Sequence, residues 1–394
     1  MVSEPTFASS FRKICVVTGS RADYGLLSSP MAAIAREDRL RLQVIATGQH
    51  LVSGSGETIA SIEVDGFKVD RIVPLDIERD GPLDVTKGMG RGLIGFAEAF
   101  AALKPDILLV LGDRYEILAA AAAALLARLP VAHIAGGDVT TGAVDDSIRH
   151  ALTKLSHVHF ATNADSARRI RQLGEDPAHV HVVGSPGIDN ILTTPRLTRA
   201  ELFESIGLDP RRRNLLLTFH PETATGDSAG QMQQLLGALE DLTADVGLIC
   251  TGSNIDVEGA TLTRMMKTFA ASRENAVFVP SLGQKRYYSA MRYVDAVVGN
   301  SSSGLYEAPS FTIPTVNIGM RQDGRLKARS VIDCACERSA ISAAIQRAFA
   351  LDCKGVVNPY GDGATGARIA GILADIREPT ELLVKRFHDL PGEF

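Results

Sequence analysis

The sequence contains no tryptophan, and its five cysteines are scattered and odd in number. Cys334 and Cys336 are separated by one residue, which is not the CxxC spacing of zinc and redox sites. We therefore predict free thiols in a reducing compartment. The N-terminal segment MVSEPTFASSFRK lacks the apolar stretch of a signal peptide, and the run AAAAAALLARLPVA is too short to span a bilayer. These absences predict a cytoplasmic protein.

An excess of basic residues is also absent, because the 394 residues carry a formal net charge of -5 at pH 7. Surfaces that bind nucleic acid or acidic membranes need clustered Lys and Arg, so we expect neither partner. An anionic ligand must then be held by a local site. The hydrophobic fraction of 45% is typical of a globular protein, and the length favours two domains.

Short apolar runs alternate with helical patterns along the whole chain. The runs show no polar alternation, which is typical of strands covered on both faces of a parallel sheet. The first half contains KICVVTGS, LQVIATG, ILLVLGD, LPVAHIAGG, VHFATN and VHVVGS, and the second contains RNLLLTFH, VGLICTGS, NAVFVPSL, VDAVVGNSS and TIPTVNIG. Gly, Pro and Thr cluster in residues 184–198, between the halves. We predict an α/β fold of two doubly wound units with a ligand cleft between them.

Polar residues directly follow many of these strands. Open parallel sheets bind ligands at the carboxyl ends of their strands, so such residues are candidates for a site. They are Asp113, Asp138, His220, Asn254 and Asn300.

The stretch VVTGSRADYGLL places an arginine and an aspartate at a strand-to-helix turn. It is not a GxGxxG fingerprint, and the chain contains no GxxxxGK[ST] P-loop. The N–H groups of the turn, together with Arg21, are suited to binding a phosphate. In the alternative interpretation, Ser20 caps the helix and Arg21 pairs with a nearby carboxylate. Asp23 fits a helix-start residue better than a catalyst.

The stretch GNSSSGLYEAP offers consecutive N–H and hydroxyl donors after a strand. Donors of this kind beside a helix start suit a diphosphate. Glu307 is expected about two turns into the helix, where it could accept a hydrogen bond from a ribose hydroxyl. The alternative is an ordinary serine N-cap, although three serines exceed what capping needs.

Several carboxylates form a second group of candidates for acid–base chemistry. Asp113 follows a buried strand, and Asp138 follows two glycines that allow close approach of a ligand. Asp145 and Asp146 open the segment DDSIRHALTK. Helix capping is the alternative role of these last two, and a local ion pair with Arg114 is the alternative role of Asp113.

The histidines divide into candidates and structural residues. His220 ends an apolar strand at the ligand edge of the second unit, so we predict a functional role for it. His157 and His159 share a strand face and fit a structural pair better than a metal site. His133 is close to the carboxylates, and its role is open between the two.

Together these motifs resemble the hydrolysing UDP-N-acetylglucosamine 2-epimerases, the enzymes that open sialic acid and related nonulosonic acid pathways. The motifs occur in the family order from Thr18 to Arg325, and they are TGSRADYGLL, GDRYEILA, HIAGGD, DDSIRHALTK, HPET, GSNID, GNSSSGLYEAPS and NIGMRQDGR. The resemblance implies a GT-B-like fold of two Rossmann-like domains. It predicts domain boundaries of 1–185, joined by a C-terminal helix at 375–394, and 186–374. A homodimer or homotetramer is the family expectation.

The resemblance also implies roles for individual residues. The acid–base positions match Asp113, Asp138 and Asp146, with Asp145 competing for the last. The nucleotide positions match Arg21, Ala22, Arg114, His220, Asn254, Ser301, Ser302, Glu307 and Arg321, with Leu282 on the uracil side. The family commonly has glutamate where this chain has Asp138, and the shorter side chain implies a closer or different sugar.

The reaction that the family implies is release of UDP with inversion at C2 of the sugar. UDP leaves C1 as the C2 proton departs, and water then adds to the resulting glycal to give free N-acetylmannosamine. The arginines and serines would stabilise the charge on UDP, so we expect no metal and no other cofactor. The alternatives are the same reaction on UDP-2,4-diacetamido-2,4,6-trideoxyglucose, a GT-B glycosyltransferase and an inert nucleotide-sugar sensor.

Overall fold

The computed structural model describes residues 11–51, 58–77, 81–139, 144–221, 227–253 and 259–390. The chain divides into two compact units. Unit 1 comprises Met1–Asn190 and Gly363–Phe394, and unit 2 comprises Ile191–Asp362. Each unit contains one parallel sheet with helices, as the alternating apolar runs predict.

Unit 1 is built on a seven-stranded parallel sheet with the order β3-β2-β1-β4-β5-β6-β7. Its strands are β1 (Arg12–Thr18), β2 (Leu40–Thr47), β3 (Arg71–Val73), β4 (Ile107–Leu111), β5 (Val131–Ile134), β6 (Val158–Ala161) and β7 (Val180–Val182). Its helices are α1 (Arg21–Arg36), α2 (Thr58–Val64), α3 (Pro82–Leu103), α4 (Tyr115–Leu126), α5 (Val144–Leu155), α6 (Ala164–Gln172) and α7 (Pro186–Thr193), of which the last crosses into unit 2.

Strand β1 shows why its run has no polar alternation. Ile14 and Val16 are buried on one face, in a cluster that includes residues of α1. Cys15 and Val17 are buried on the other face, in a cluster that includes residues of α3 and α4. Both faces of the strand are therefore covered, as in other parallel sheets.

Unit 2 is built on a six-stranded parallel sheet with the order β10-β9-β8-β11-β12-β13. Its strands are β8 (Arg213–Thr218), β9 (Val246–Thr251), β10 (Ala276–Val279), β11 (Ala296–Gly299), β12 (Thr315–Ile318) and β13 (Val331–Cys334). Its helices are α8 (Arg199–Ile206), α9 (Ser228–Glu240), α10 (Gly259–Ala271), α11 (Gly283–Tyr293), α12 (Ser303–Tyr306) and α13 (Arg338–Ala350).

The chain returns to unit 1 with α14 (Thr365–Asp375), which packs on α1. A Cβ atom at Gly366 would lie 2.7 Å from the backbone oxygen of Ser29, so glycine permits this close approach. The carboxylate of Asp189 accepts hydrogen bonds from the backbone N–H groups of Thr365 and Gly366, at 3.0 and 2.7 Å. The C-terminal helix expected at 375–394 is not observed in the described residues after α14, which form only a short 3-10 helix, Pro379–Leu383.

A buried charged cluster holds the C-terminal segment of unit 1. The side chain of Glu175 is 2% exposed and pairs with Lys154 at 2.6 Å and Lys385 at 2.7 Å. His159 Nε2 lies 2.9 Å from Glu175 Oε2. His157 Nδ1 accepts a hydrogen bond from the backbone N–H of Val131 at 3.1 Å. Both histidines are therefore structural, as the sequence favoured.

All five cysteines of the chain are free. Cys15, Cys250 and Cys353 are buried, and Cys334 and Cys336 are partly buried. Within the described ranges, no helix combines the length and the apolar character needed to cross a membrane.

Candidate active site

Two candidate carboxylates follow neighbouring strands at the carboxyl edge of the unit 1 sheet. Asp113 follows β4 through Gly112, and Asp138 follows β5 through Gly137. Both glycines have positive φ, +82° and +76°, which residues with a Cβ rarely adopt. A Cβ atom at Gly137 would also lie 2.2 Å from the backbone oxygen of Ser166. The turns after β4 and β5 thus depend on glycine and bring the two aspartates to one edge.

Arg149 on α5 connects three of the predicted acid–base residues. Its Nη2 pairs with Asp113, and its Nη1 lies 3.4 Å from Asp146 and donates to the backbone oxygen of Asp138 at 2.8 Å. The guanidinium side chain is 8% exposed, so it acts in a largely dry environment. Asp146 makes this contact, whereas Asp145 is exposed. Sequence analysis missed Arg149, although its spacing of three residues from Asp146 on a helix was a usable signal.

The Arg149–Asp113 ion pair also shows whether Asp113 pairs with its neighbour Arg114. Asp113 pairs with Arg149, while Arg114 Nε pairs with Glu116 Oε1 at 2.5 Å. Glu116 is fully buried, and burial raises the pKa of its carboxyl while the Arg114 charge opposes that change. The alternative of an Asp113–Arg114 ion pair is therefore wrong. Glu116, which sequence analysis missed, positions the Arg114 side chain.

The turn before α1 presents Arg21 as a free cation. Ser20 caps the helix, because its Oγ accepts from the backbone N–H of Asp23 at 3.2 Å. Arg21 and Ala22 are exposed, and Arg21 forms no ion pair with any residue in the described ranges. Capping by Ser20 and an available Arg21 therefore coexist. Asp23 lies in the first turn of α1, as predicted, and burial raises the pKa of its carboxyl.

His220 follows β8 at the carboxyl edge of the unit 2 sheet and is buried. Its backbone N–H donates to Asn300 Oδ1 at 2.7 Å, and Asn300 Nδ2 donates to its backbone oxygen at 2.8 Å. The backbone oxygen of Asn300 accepts from Arg321 Nη1 at 3.2 Å and from Gln322 Nε2 at 2.8 Å. Asn300 therefore joins His220 and Arg321 at one sheet edge. The sequence marked Asn300 as a strand-end residue but did not reveal this bridging role.

The serine loop differs from its prediction in one respect. The helix after Ser301 and Ser302 is only the four residues Ser303–Tyr306, and Glu307 follows its end. The expectation of Glu307 two turns into a helix is therefore wrong, because a 3-10 turn containing Pro309 follows at once. A short hydroxyl chain runs through the loop: Tyr287 lies 2.5 Å from Ser303 Oγ, which lies 3.2 Å from Ser301 Oγ.

Glu307 carries a buried oxygen that lacks a partner. Its Oε2 has no hydrogen bond among the described residues. Burial raises the pKa of the Glu307 carboxyl to about 7. A buried polar atom of this kind needs a partner, so the site fits a ligand hydroxyl.

Two remaining candidates have different outcomes. Leu282 is 4% exposed and packs in a core cluster of unit 2, so its side chain is part of the core. Its backbone oxygen accepts from Arg286 Nε at 2.9 Å. Asn254 lies outside the described residues.

The chain is similar to proteins of one family. Residues 32–374 match the family model described as UDP-N-acetylglucosamine 2-epimerase. A GDP/UDP-N,N'-diacetylbacillosamine 2-epimerase (hydrolyzing) of Campylobacter jejuni is 36% identical, covering 82% of this chain and 84% of the relative. A UDP-N,N'-diacetylbacillosamine 2-epimerase (hydrolyzing) of Legionella pneumophila is 34% identical, covering 95% and 98%.

A solved structure is similar over nearly the whole chain. It is the UDP-GlcNAc 2-epimerase of Neisseria meningitidis bound to UDP-GlcNAc, with a TM-score of 0.76 and 17% identity, covering 92% of this chain and 99% of that one. The likeness confirms the predicted GT-B-like α/β fold. The sequence matches confirm the predicted family, and we conclude that this protein belongs to the UDP-N-acetylglucosamine 2-epimerase family.

Proposed function

We propose that the protein is a hydrolysing 2-epimerase that converts a UDP-2-acetamido sugar and water to UDP and the free C2-inverted sugar. The observation that carries the proposal is the group formed by Asp113, Asp138 and Asp146 around Arg149. Three carboxyl groups around one arginine would supply both a proton acceptor and a proton donor. A site that only bound UDP would need neither.

The chemistry explains why several carboxyl groups are needed. The C2 hydrogen has no adjacent carbonyl, so its simple removal is too costly. In the proposed first step a carboxylate takes the C2 proton, the C–H electron pair forms a C1–C2 double bond, and the C1–O bond breaks with its electron pair on UDP. In the second step water adds its oxygen to C1 and gives one of its protons to a carboxylate, while a carboxyl group delivers a proton to C2 on the opposite face. The products are UDP and the free epimerised sugar.

The remaining candidates hold the nucleotide in this proposal. Arg21, Arg321, Ser301 and Ser302 would stabilise the charge that develops on the leaving diphosphate, through charge-assisted and hydroxyl hydrogen bonds. Glu307 would bond a ribose hydroxyl, which would supply the partner that its buried Oε2 needs.

Arg114, Ala22, His220 and Asn254 stay nucleotide or catalytic candidates on the family resemblance. Leu282 stays a candidate for the uracil side.

For the sugar, we place UDP-2,4-diacetamido-2,4,6-trideoxyglucose first. This sugar is N,N'-diacetylbacillosamine, and both relatives described above are named for it. The aspartate at position 138, where the family commonly has glutamate, agrees with a sugar other than N-acetylglucosamine. UDP-N-acetylglucosamine is the second candidate, supported by the description of the matching family model.

Incubation of the protein with each UDP-sugar, without an acceptor, tests the proposal. We expect stoichiometric release of UDP, a free C2-inverted sugar by NMR and, in D2O, one deuterium at C2. The ratio of kcat/KM for the two sugars decides between them. A UDP-linked epimer would indicate a non-hydrolysing enzyme, and intact substrate would indicate a transferase or a sensor.

Asp113→Asn tests whether the carboxylate of Asp113 takes part in the chemistry. Replacement of the carboxylate by an isosteric amide should lower kcat by about 10²–10⁴ while UDP binding persists. Full activity of both Asp113→Asn and Asp138→Asn, with the fold intact by circular dichroism, would contradict the proposed chemistry.

A further inference from the structure

Asp138 differs from the other candidate carboxylates in how it is held. Asp113 and Asp146 contact the Arg149 guanidinium with their side chains, whereas Asp138 contacts it with its backbone oxygen. Two hydroxyl groups bond the Asp138 side chain instead. Thr162 Oγ1 donates to Oδ1 at 2.9 Å, and Ser166 Oγ donates to the same oxygen at 2.5 Å.

The surrounding bonds determine which way these hydroxyl protons point. Asn163 Nδ2 donates to Thr162 Oγ1 at 3.0 Å, so the single Thr162 proton is left for Asp138. Ser166 Oγ also lies 3.1 Å from Asn163 Oδ1, but its contact with Asp138 is shorter. Asn163 Oδ1 already accepts from the backbone N–H of Ser166 at 2.9 Å, as the N-cap of α6.

Both donors are rigid and reach the same oxygen. Thr162 is 6% exposed and directly follows β6, while Ser166 is 1% exposed in the first turn of α6. Within the described part of the chain, no hydrogen bond reaches Asp138 Oδ2. The carboxyl group therefore has one oxygen held by the protein and one oxygen available to a ligand.

We propose that Thr162 and Ser166 are positioning residues that hold Oδ1 of Asp138 and leave Oδ2 as the oxygen that exchanges a proton with the sugar. The inference rests on the proposed function. Capping of α6 does not require the hydroxyl groups of Thr162 and Ser166, because the Asn163 side chain already caps that helix. Neither residue was predicted from the sequence.

Several other groups surround Asp138 and remain unchanged in the test. Arg149 of α5 donates to the backbone oxygen of Asp138 and also pairs with Asp113 and Asp146. Arg169 Nη1 of α6 donates to the backbone oxygen of Gly137 at 3.2 Å. His133 of β5 is buried, which lowers the pKa of its imidazole to about 4, so it is neutral near pH 7. Thr162→Val also removes the acceptor of Asn163 Nδ2, and Ser166→Ala also removes the hydroxyl next to Asn163 Oδ1, while the charged groups stay in place.

The experiment uses Thr162→Val and Ser166→Ala, read independently, with Thr162→Ser as the conservative variant. Each lost hydroxyl removes one hydrogen bond to Oδ1, so the ¹³Cγ chemical shift of Asp138 should change from its wild-type value. This chemical shift is measured on labelled aspartate in the full chain and is assigned with Asp138→Asn. Thr162→Ser should keep the wild-type value. Ser156→Ala removes another buried hydroxyl, which donates to the Leu152 backbone, and should change nothing.

Kinetics provide the second readout. Loss of either hydroxyl leaves Oδ1 less firmly held, so kcat should fall about tenfold with KM little changed, and Thr162→Ser should keep the wild-type kcat. An unchanged ¹³Cγ chemical shift in both variants would overturn the positioning role. A changed chemical shift with an unchanged kcat would overturn proton exchange at Oδ2. If the wild type turns over neither UDP-sugar, the proposed function fails, while the chemical shift still reports the hydrogen bonds at Oδ1.

Discussion

The replacement Glu175→Gln should destabilise unit 1 in a pH-dependent way. Burial raises the pKa of the Glu175 carboxyl, but hydrogen bonds from His159, Lys154 and Lys385 outweigh it and lower the pKa from 4.5 to about 2. The side chain is only 2% exposed, so solvent screens these bonds little. A depression of this size corresponds to about 3 kcal/mol of folding free energy at neutral pH.

The sign of the pH dependence follows from the depressed value. Because the folded pKa lies below the unfolded pKa, the stabilisation is complete above about pH 4.5 and is lost as the pH falls toward 2. The free energy of unfolding of Glu175→Gln should therefore be about 3 kcal/mol below wild type at pH 7, and the gap should shrink at pH 3.5. His159 is buried, which lowers the pKa of its imidazole, so it donates as a neutral ring.

Urea unfolding followed by far-UV circular dichroism measures the gap, because the chain has no tryptophan for fluorescence. Hydrogen exchange of the β6 and β7 amides reports the same change locally. Glu98→Gln removes an equal charge from an exposed position of α3 and should leave both readouts unchanged. Equal stability of Glu175→Gln and wild type at pH 7, or a gap that persists undiminished at pH 3.5, would refute the reasoning.

Three further predictions concern the site and the sheet edge. Arg149→Met keeps the side-chain stem but removes the positive charge that pairs with Asp113 and Asp146. The value of kcat/KM should therefore fall at least about 100-fold, and near-normal turnover would contradict the role of Arg149 in the site. Glu307→Ala should weaken UDP binding about tenfold by isothermal titration calorimetry, whereas unchanged affinity would exclude a ribose contact. Gly299 has φ +140°, and in Gly299→Ala the added Cβ atom would lie 1.9 Å from the backbone oxygen of Thr218. Calorimetry should therefore show a Tm several degrees lower than that of the wild type, and an unchanged Tm would show that the strand end relaxes.

Most strands were predictable because long apolar runs bury both faces of a parallel sheet. The two strands that the sequence did not reveal are β3 (Arg71–Val73) and β13 (Val331–Cys334), which lie at sheet edges. Edge strands are short and partly exposed, and these two lack a continuous buried run. The apolar signal on which prediction depends is therefore weak in these two edge strands, whereas the edge strands β7 and β10 were predicted from their apolar runs.

The candidate site was predictable where it depends on strand ends and not where it depends on contacts between distant elements. Asp113 and Asp138 were found because each directly follows an apolar run. Arg149 was missed because its partner Asp113 lies 36 residues away on another element. Ser166 resembled an ordinary helix-start residue, and only the fold brings it to Asp138.

Unit 1 is assembled from two segments of the chain, with all of unit 2 encoded between them. During synthesis, unit 2 leaves the ribosome whole while the apolar side of α1, including Leu27 and Met31, still lacks its cover from α14. The nascent chain therefore exposes this hydrophobic surface until α14 emerges. A stop codon before α14 would thus damage unit 1, although most of the sequence of unit 1 had already been translated.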